Sequence, residues 1–334
     1  MAASYRAAVF TTVSVFLRKI SFLTLVLALL LGAGPQLRAA ESSIVVDAQT
    51  GYIIDQSKPD EKRQVASLTK VATAMVVLDW STKQNGDLAQ LATISASAMA
   101  DAPINNVGFQ PGDTITLRDL LYAALVQSDN IAANALAEHV GRALQLQMLS
   151  NGDSPRSTPT DSFVRQMNAL AQHLGMTRTR FLNPSGVDSQ EKPYSTAADM
   201  ARLTRYAMQS AGFRFYVSQK EREIEFNRGT TQLRYLLRNT NELLGRENID
   251  GVKTGRTQRA GDCLILSAAR PSEVVPQGAT TLITPRRLIV VVLGSSDRFG
   301  EGAALLARGW DLYDRWAAAG RPMETKELLG GPNE

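Results

Sequence analysis

The chain has 334 residues and one cysteine, Cys263, so it has no internal disulfide and must rely on a hydrophobic core, for which it is long enough. Its formal charge of +4 lies wholly in the first 40 residues, where Arg6, Arg18, Lys19 and Arg38 meet no acid. Beyond them basic and acidic residues balance, and no basic stripe with interleaved aromatics argues for nucleic acid as a partner.

Arg18 and Lys19 precede an uncharged run from Ile20 to Leu31, which Gly32, Gly34 and Pro35 break before small residues follow. That is the pattern of a secretory leader over 1–40, and Leu37-Arg38-Ala39 suits cleavage after Ala39, with Ala40 nearly as good. The run is shorter than the roughly 20 residues of a membrane helix, so the expectation is an exported, periplasmic protein; an uncleaved anchor is the alternative.

Ile44–Asp47 and Tyr52–Asp55 flank Ala48-Gln49-Thr50-Gly51 as a hairpin would. An apolar helix follows from Val71 to Leu78, and helical spacing recurs at Thr116–Gln127, Ile131–Val140, Ser162–Leu174 and Thr196–Gln209. From about Glu221 the period changes to strands: Ile224 and Phe226, Leu233–Leu237, Ile249–Lys253, Cys263–Ala268 and Leu288–Leu293. Glu301–Ala317 closes as a helix, with Trp310, Tyr313 and Trp316 on a core face. Segments 152–159 and 271–286 read as surface loops. Strands from both chain ends imply one sheet with a helical lobe inserted between them.

Three short motifs carry the chemistry. Ser67-Leu-Thr-Lys70 lies where a polar loop enters the apolar helix, and a spacing of three puts the Lys70 amine on the face of the Ser67 hydroxyl. Ser189-Gln190-Glu191-Lys192 has the same spelling without a helix behind it, so the first copy gains weight only from its company. That company is Ser128-Asp129-Asn130, which interrupts a helical run, and Lys253-Thr254-Gly255 on a strand.

A serine needs a base, and the two histidines, His139 and His173, sit inside helical segments as ordinary helix residues. Lysine serves only if part of it is uncharged, through burial or a neighbouring cation, for which Lys253 is the candidate. Free N–H groups at the helix start favour an oxyanion; Ser67 offers one and Arg256 is the candidate for the other, with Gly255 permitting close approach of a substrate backbone. Asp101 and Asp113 read as loop acids without metal-ligand partners, and Cys263 as a buried structural thiol.

The motif order resembles that of the penicillin-recognising serine enzymes, most fully the low-molecular-mass penicillin-binding proteins, the D-alanyl-D-alanine carboxypeptidases of peptidase family S11. The likeness runs from about Ile44 to Trp316 and includes Phe181-Leu182-Asn183-Pro184-Ser185-Gly186, Tyr194–Ala201 and Asp250–Gly255. It implies an α+β, β-lactamase/transpeptidase-like fold, with an antiparallel five-stranded sheet flanked by helices and an all-helical inserted lobe. The domain would span 41–320, followed by a tail at 321–334.

By the same resemblance Ser67 is the acyl-ester nucleophile, Lys70 its proton acceptor, and Ser128 a proton relay toward the leaving amine with Lys253 behind it. Asn130 holds the substrate amide, while Thr254 and Arg298, in the turn before the last helix, meet the terminal carboxylate. The implied partners are peptidoglycan stem peptides, with β-lactams as covalent inhibitors; no metal or organic cofactor and no stable membrane anchor after leader cleavage are implied.

Three departures qualify the likeness. Many relatives continue into a β-rich domain and an amphipathic tail, whereas nothing after Gly320 reads as an anchor. Arg238-Asn239-Thr240-Asn241 resembles the branch of endopeptidases that cut D-alanyl cross-links, and Arg256 replaces the histidine or aromatic often found there. A serine β-lactamase is the nearest rival, but the glutamate of class A enzymes, three residues before Leu-Asn, is Thr179 here. A non-catalytic peptidoglycan binder is the remaining alternative, disfavoured by three intact motifs.

Overall fold

Three runs of aliphatic residues organise the molecule: β1 (Ser42–Asp47), β8 (Gly261–Gln277) and β9 (Thr280–Ser295). The computed structural model describes residues 40–83, 86–100, 102, 104–151, 157–278, 280–323 and 328–329; the leader read from the sequence lies outside them. With β2 (Ile53–Ser57) and β7 (Ile249–Thr257) these runs form an antiparallel five-stranded sheet in the order β2-β1-β9-β8-β7. Strands from both chain ends therefore pair directly, Val45 opposite Val290 for example.

Side chains alternate across a strand, and here both faces are buried. Ile44, Val46, Ile265, Ile289 and Val291 join the larger core, whereas Val45, Leu264, Leu266, Val290 and Val292 join a second one. The last helix, α8 (Arg298–Ala318), covers the second core with Leu306, Trp310, Tyr313 and Trp316, the face expected of it. Cys263 is buried in the larger core, and burial pushes its thiol up to about 11, as suits a structural cysteine.

The larger core is built by α1 (Lys70–Lys83), α2 (Ala96–Ala100), α3 (Leu117–Val126), α4 (Asn130–Ser150), α5 (Pro159–His173), α6 (Ala197–Gln209) and α7 (Ala211–Val217). Cap residues set their starts. Thr116, Asp129 and Thr196 each accept a backbone N–H one turn on, and Thr158 with Asp161 makes a capping box ahead of Pro159. In α1 every residue from Lys70 to Val77 is buried, so this helix runs through the middle of the molecule.

Three expectations change. The inserted lobe is not all-helical: β3 (Leu91–Thr93), β4 (Thr114–Thr116), β5 (Glu221–Arg228) and β6 (Thr231–Arg238) form a second sheet, so the strands after Glu221 divide between two sheets. Segment 271–286 is no loop, because β8 and β9 continue through it as a hairpin arm, Val274 opposite Ile283. Pro271 falls in its bulge and Pro276 on a two-stranded ribbon, where proline is tolerated. Arg298 opens α8 rather than preceding it, with Asp297 as N-cap.

Candidate active site

Ser67 sits in a 3-10 turn, Ala66–Thr69, that runs straight into α1. In such a turn residues three apart eclipse one another, which aligns Ser67 with Lys70 more directly than an α-turn does; Nζ lies 3.0 Å from Oγ. Ala66 holds φ +48, a left-handed conformation that costs a non-glycine residue about 1 kcal/mol or more. The turn is clamped on two sides. Gly186, at φ +78, lies so close to the Ala66 carbonyl that no Cβ fits, and a Cβ on Gly255 would stand 3.0 Å from the Ser67 nitrogen.

Lys70 is fully buried, and its amine has three neighbours that accept hydrogen bonds: Ser67 Oγ, Asn130 Oδ1 at 2.6 Å and the Ser185 carbonyl at 2.7 Å. Burial lowers its pKa to about 7, with Asp129 pulling the other way. Two N–H bonds of an uncharged amine satisfy Asn130 and Ser185, which leaves the lone pair for the Ser67 hydroxyl. Phe181–Gly186 supplies that carbonyl: Asn183 Oδ1 accepts the Gly186 N–H at 2.6 Å, and Thr73 Oγ1 donates to the Pro184 carbonyl at 2.6 Å.

Ser128 has φ +64 and precedes Asp129, the N-cap of α4, so a short kink presents Ser128 and Asn130 to one cavity. Lys253 is buried and donates to the Thr254 carbonyl at 2.9 Å. Burial, then Lys70 and Arg298, hold its pKa well below the ordinary lysine value, since two close buried amines resist carrying two protons. Lys70 itself is held down by burial, whereas Arg298 acts on Lys253.

Among the described residues β7 pairs with β8 alone, so its other edge is open along the serine turn. At that edge Thr254 Oγ1 lies 2.6 Å from Thr240 Oγ1, and Arg298 donates to the Gly255 carbonyl at 3.0 Å. Asp262 binds Arg298 at 3.4 Å and the exposed Arg256 at 3.3 Å. Ser67, Ser128, Asn130, Thr240, Thr254 and Arg298 are among the residues lining a cavity of about 240 Å³. A groove of about 1280 Å³ leaves from Ser67 and Asn130 in another direction.

Sequence reasoning missed the Ser185 carbonyl, Thr240 and Asp262 as parts of this site. Thr240 stood within a motif read only as a family signature, while a backbone carbonyl has no side-chain signal. His139 packs on Trp80, and its ring bonds Gln90 at 3.2 Å, consistent with an ordinary helix residue. Asp113 lies in the loop before β4, as expected, and is buried there in an ion pair with Arg228 at 2.8 Å; Asp101 lies outside the described residues. Thr179, in place of the β-lactamase glutamate, bonds Ser195 at 2.8 Å and Asp199 at 2.7 Å.

The profile of the S11 peptidases, described as D-alanyl-D-alanine carboxypeptidase, matches residues 32–150 and 154–296. This chain belongs to the S11 family. Within the family it is 31% identical over 283 residues to the D-alanyl-D-alanine carboxypeptidase DacC of Escherichia coli K12, covering 82% of this chain and 62% of the relative. It is 33% identical over 230 residues to the D-alanyl-D-alanine endopeptidase of Pseudomonas aeruginosa, covering 68% and 66%. The chain thus spans less than two thirds of the length of these two curated relatives. Among solved structures the Streptomyces K15 DD-transpeptidase superposes with a TM-score of 0.69 at 27% identity, over 84% of this chain and 99% of that one. The five-stranded sheet with its flanking helices is thus the β-lactamase/transpeptidase-like fold.

Proposed function

We propose that this chain is an exported serine D-alanyl-D-alanine carboxypeptidase that trims peptidoglycan stem peptides through an ester on Ser67. The observation that carries the reading is a fully buried lysine whose pKa is lowered to about 7 and whose amine lies 3.0 Å from one hydroxyl beside an open strand edge. Family membership and relatives named as carboxypeptidases support the substrate class. The leader pattern supports export into the bacterial periplasm, and among the described residues no helix is long and apolar enough to cross a membrane.

In this reading the peptide lies along β7 with its terminal carboxylate at Arg298, Thr254 and Thr240. Asn130 Nδ2 is left to hold the substrate amide, because Oδ1 is taken by Lys70. Lys70 accepts the Ser67 proton as Oγ bonds to the carbonyl carbon of the penultimate D-alanine. The oxyanion is met by the Ser67 and Arg256 N–H groups. Collapse breaks the C–N bond, the departing amine takes a proton through Ser128, and water then hydrolyses the ester. β-Lactams enter the same first step, and their esters persist because Thr179 provides no deacylating base.

A second reading, D,D-endopeptidase at the same site, is favoured by the endopeptidase relatives and by Thr240 on the carboxylate side of the cavity. Free pentapeptides and cross-linked dimers digested side by side and read by mass separate the two. Release of D-alanine from pentapeptides, lost in Ser67→Ala, is the expected result; cleavage of dimers alone would transfer the assignment to the endopeptidase. Turnover of neither substrate, with no penicillin adduct on Ser67, would leave only a binder.

A further inference from the structure

The first strand leaves the residue before it little freedom. Ser42–Asp47 is buried along its whole length, Ser42 stands opposite Leu293, and the Glu41 N–H donates to the Leu293 carbonyl at 3.1 Å. Arg63 holds the Glu41 carboxylate. A slip of one residue would exchange the side chains that β1 gives to the two cores, so the Ala40 nitrogen has a single place. Ala40, like Phe299 and Ala303 of α8, packs against the second core.

That nitrogen donates to Glu301 Oε1 at 2.8 Å. Glu301 lies in the first turn of α8, where an acid suits the helix dipole, but Asp297 already caps this helix and Glu301 reaches across to the start of the sheet. Among the described residues its second oxygen, Oε2, is buried without a hydrogen-bond partner. A single amide N–H therefore answers a carboxylate with one oxygen left over. A primary ammonium in the same place brings three N–H donors and the opposite charge, enough for both oxygens.

We propose that leader removal falls between Ala39 and Ala40, and that Glu301 is the binding site of the α-ammonium this creates. The exporting cell's leader peptidase hydrolyses the Ala39–Ala40 amide: the C–N bond breaks, water's oxygen stays on Ala39 as part of a carboxylate, and the Ala40 nitrogen takes water's two protons to become an ammonium. Cleavage one residue later would delete this donor and put the ammonium on Glu41, whose nitrogen the Leu293 carbonyl already holds. The pair joins the first residue of the mature chain to the turn of α8 that opens with Arg298. It rests on the export in the function proposed above and not on the chemistry at Ser67.

Two measurements test it. The full chain, expressed with its leader in a Gram-negative host and recovered from the periplasm, is read by mass spectrometry of its N-terminal peptide. Ala40 as first residue is the expected result; Glu41, Ala39 or a retained leader would overturn the cleavage assignment. The second measurement uses chains released from a cleavable fusion with either Ala40 or Ala39 as first residue, since the chain from Ala39 on is a compact unit of its own. The Ala39 form keeps every side chain but returns the Ala40 nitrogen to an amide. Thermal melts should place the Ala40 form about 2–4 °C above the Ala39 form, and the gap should close in Glu301→Gln. Equal melting of the two forms would overturn the ammonium site without recourse to a variant that fails to fold, and a gap that survives Glu301→Gln would overturn it too. The melts involve no leader, so failure of export and failure of the pairing are read separately.

Discussion

Lys70 Nζ stands 3.0 Å from Ser67 Oγ, and its two other hydrogen-bond neighbours are oxygen acceptors, Asn130 Oδ1 and the Ser185 carbonyl. Three acceptors around one amine hold it in place in either charge state, and burial, which lowers its pKa to about 7, is what frees the lone pair in part of the population near neutrality. The two tasks are thus separate: Asn130 and Ser185 aim the amine, and burial in α1 removes its proton. Stability, acylation and pH dependence then share one cause.

A lysine whose folded pKa is about 7 against an ordinary 10.5 makes the unfolded chain bind the extra proton between those values. Wild-type stability should therefore rise with pH across that window, the penalty being complete below pH 7 and gone above 10.5. In Lys70→Met the penalty is absent. The difference in unfolding free energy, variant minus wild type, should shrink by about 2 kcal/mol from pH 7 to pH 9. Paired denaturant titrations at the two pH values measure it; a difference independent of pH would mean that Lys70 is not depressed.

Two glycines beside the serine turn should fail in different ways. Gly186→Ala forces a residue at φ +78 into the Ala66 carbonyl and should destabilise the fold by roughly 1–3 kcal/mol. Gly255→Ala meets the Ser67 nitrogen and the Val65 carbonyl at 3.0 and 3.1 Å, a contact relieved by a small shift of β7. It should lower benzylpenicillin acylation about 100-fold while costing less in Tm. Thermal melts and adduct kinetics on both variants check the ranking, and the reverse order would contradict it.

Arg298 is partly buried against Asp262 and the Gly255 carbonyl, with its charge felt by Lys253. If it receives the substrate carboxylate, Arg298→Gln should reduce the preference for peptides ending in D-alanine over those ending in D-alaninamide by roughly 10- to 100-fold. Arg298→Lys should restore part of it. Steady-state kinetics on the paired substrates decide; an unaltered preference would move the carboxylate elsewhere.

Motif spacing made the Ser67–Lys70 pair legible, because i and i+3 meet in any right-handed turn. Aliphatic runs likewise marked β1, β8 and β9, and Trp310, Tyr313 and Trp316 marked the buried face of α8. Pairing partners were less visible: nothing local in Ile224–Phe226 says that β5 joins β4 rather than the main sheet. Pro271, Pro276 and Pro285 suggested a loop where a two-stranded arm leaves edges that tolerate proline. The depressed pKa of Lys253 was hidden for a different reason, since desolvation depends on neighbours from distant segments.

The central claim is that uncharged Lys70 takes the Ser67 proton. Its most direct test is the rate of benzylpenicillin acylation of Ser67, followed by intact-protein mass from pH 5 to pH 10. The rate should climb about ten-fold per unit below pH 7 and level off above it. A flat profile, or a rise that continues to pH 10 as for an ordinary solvated lysine, would contradict the account.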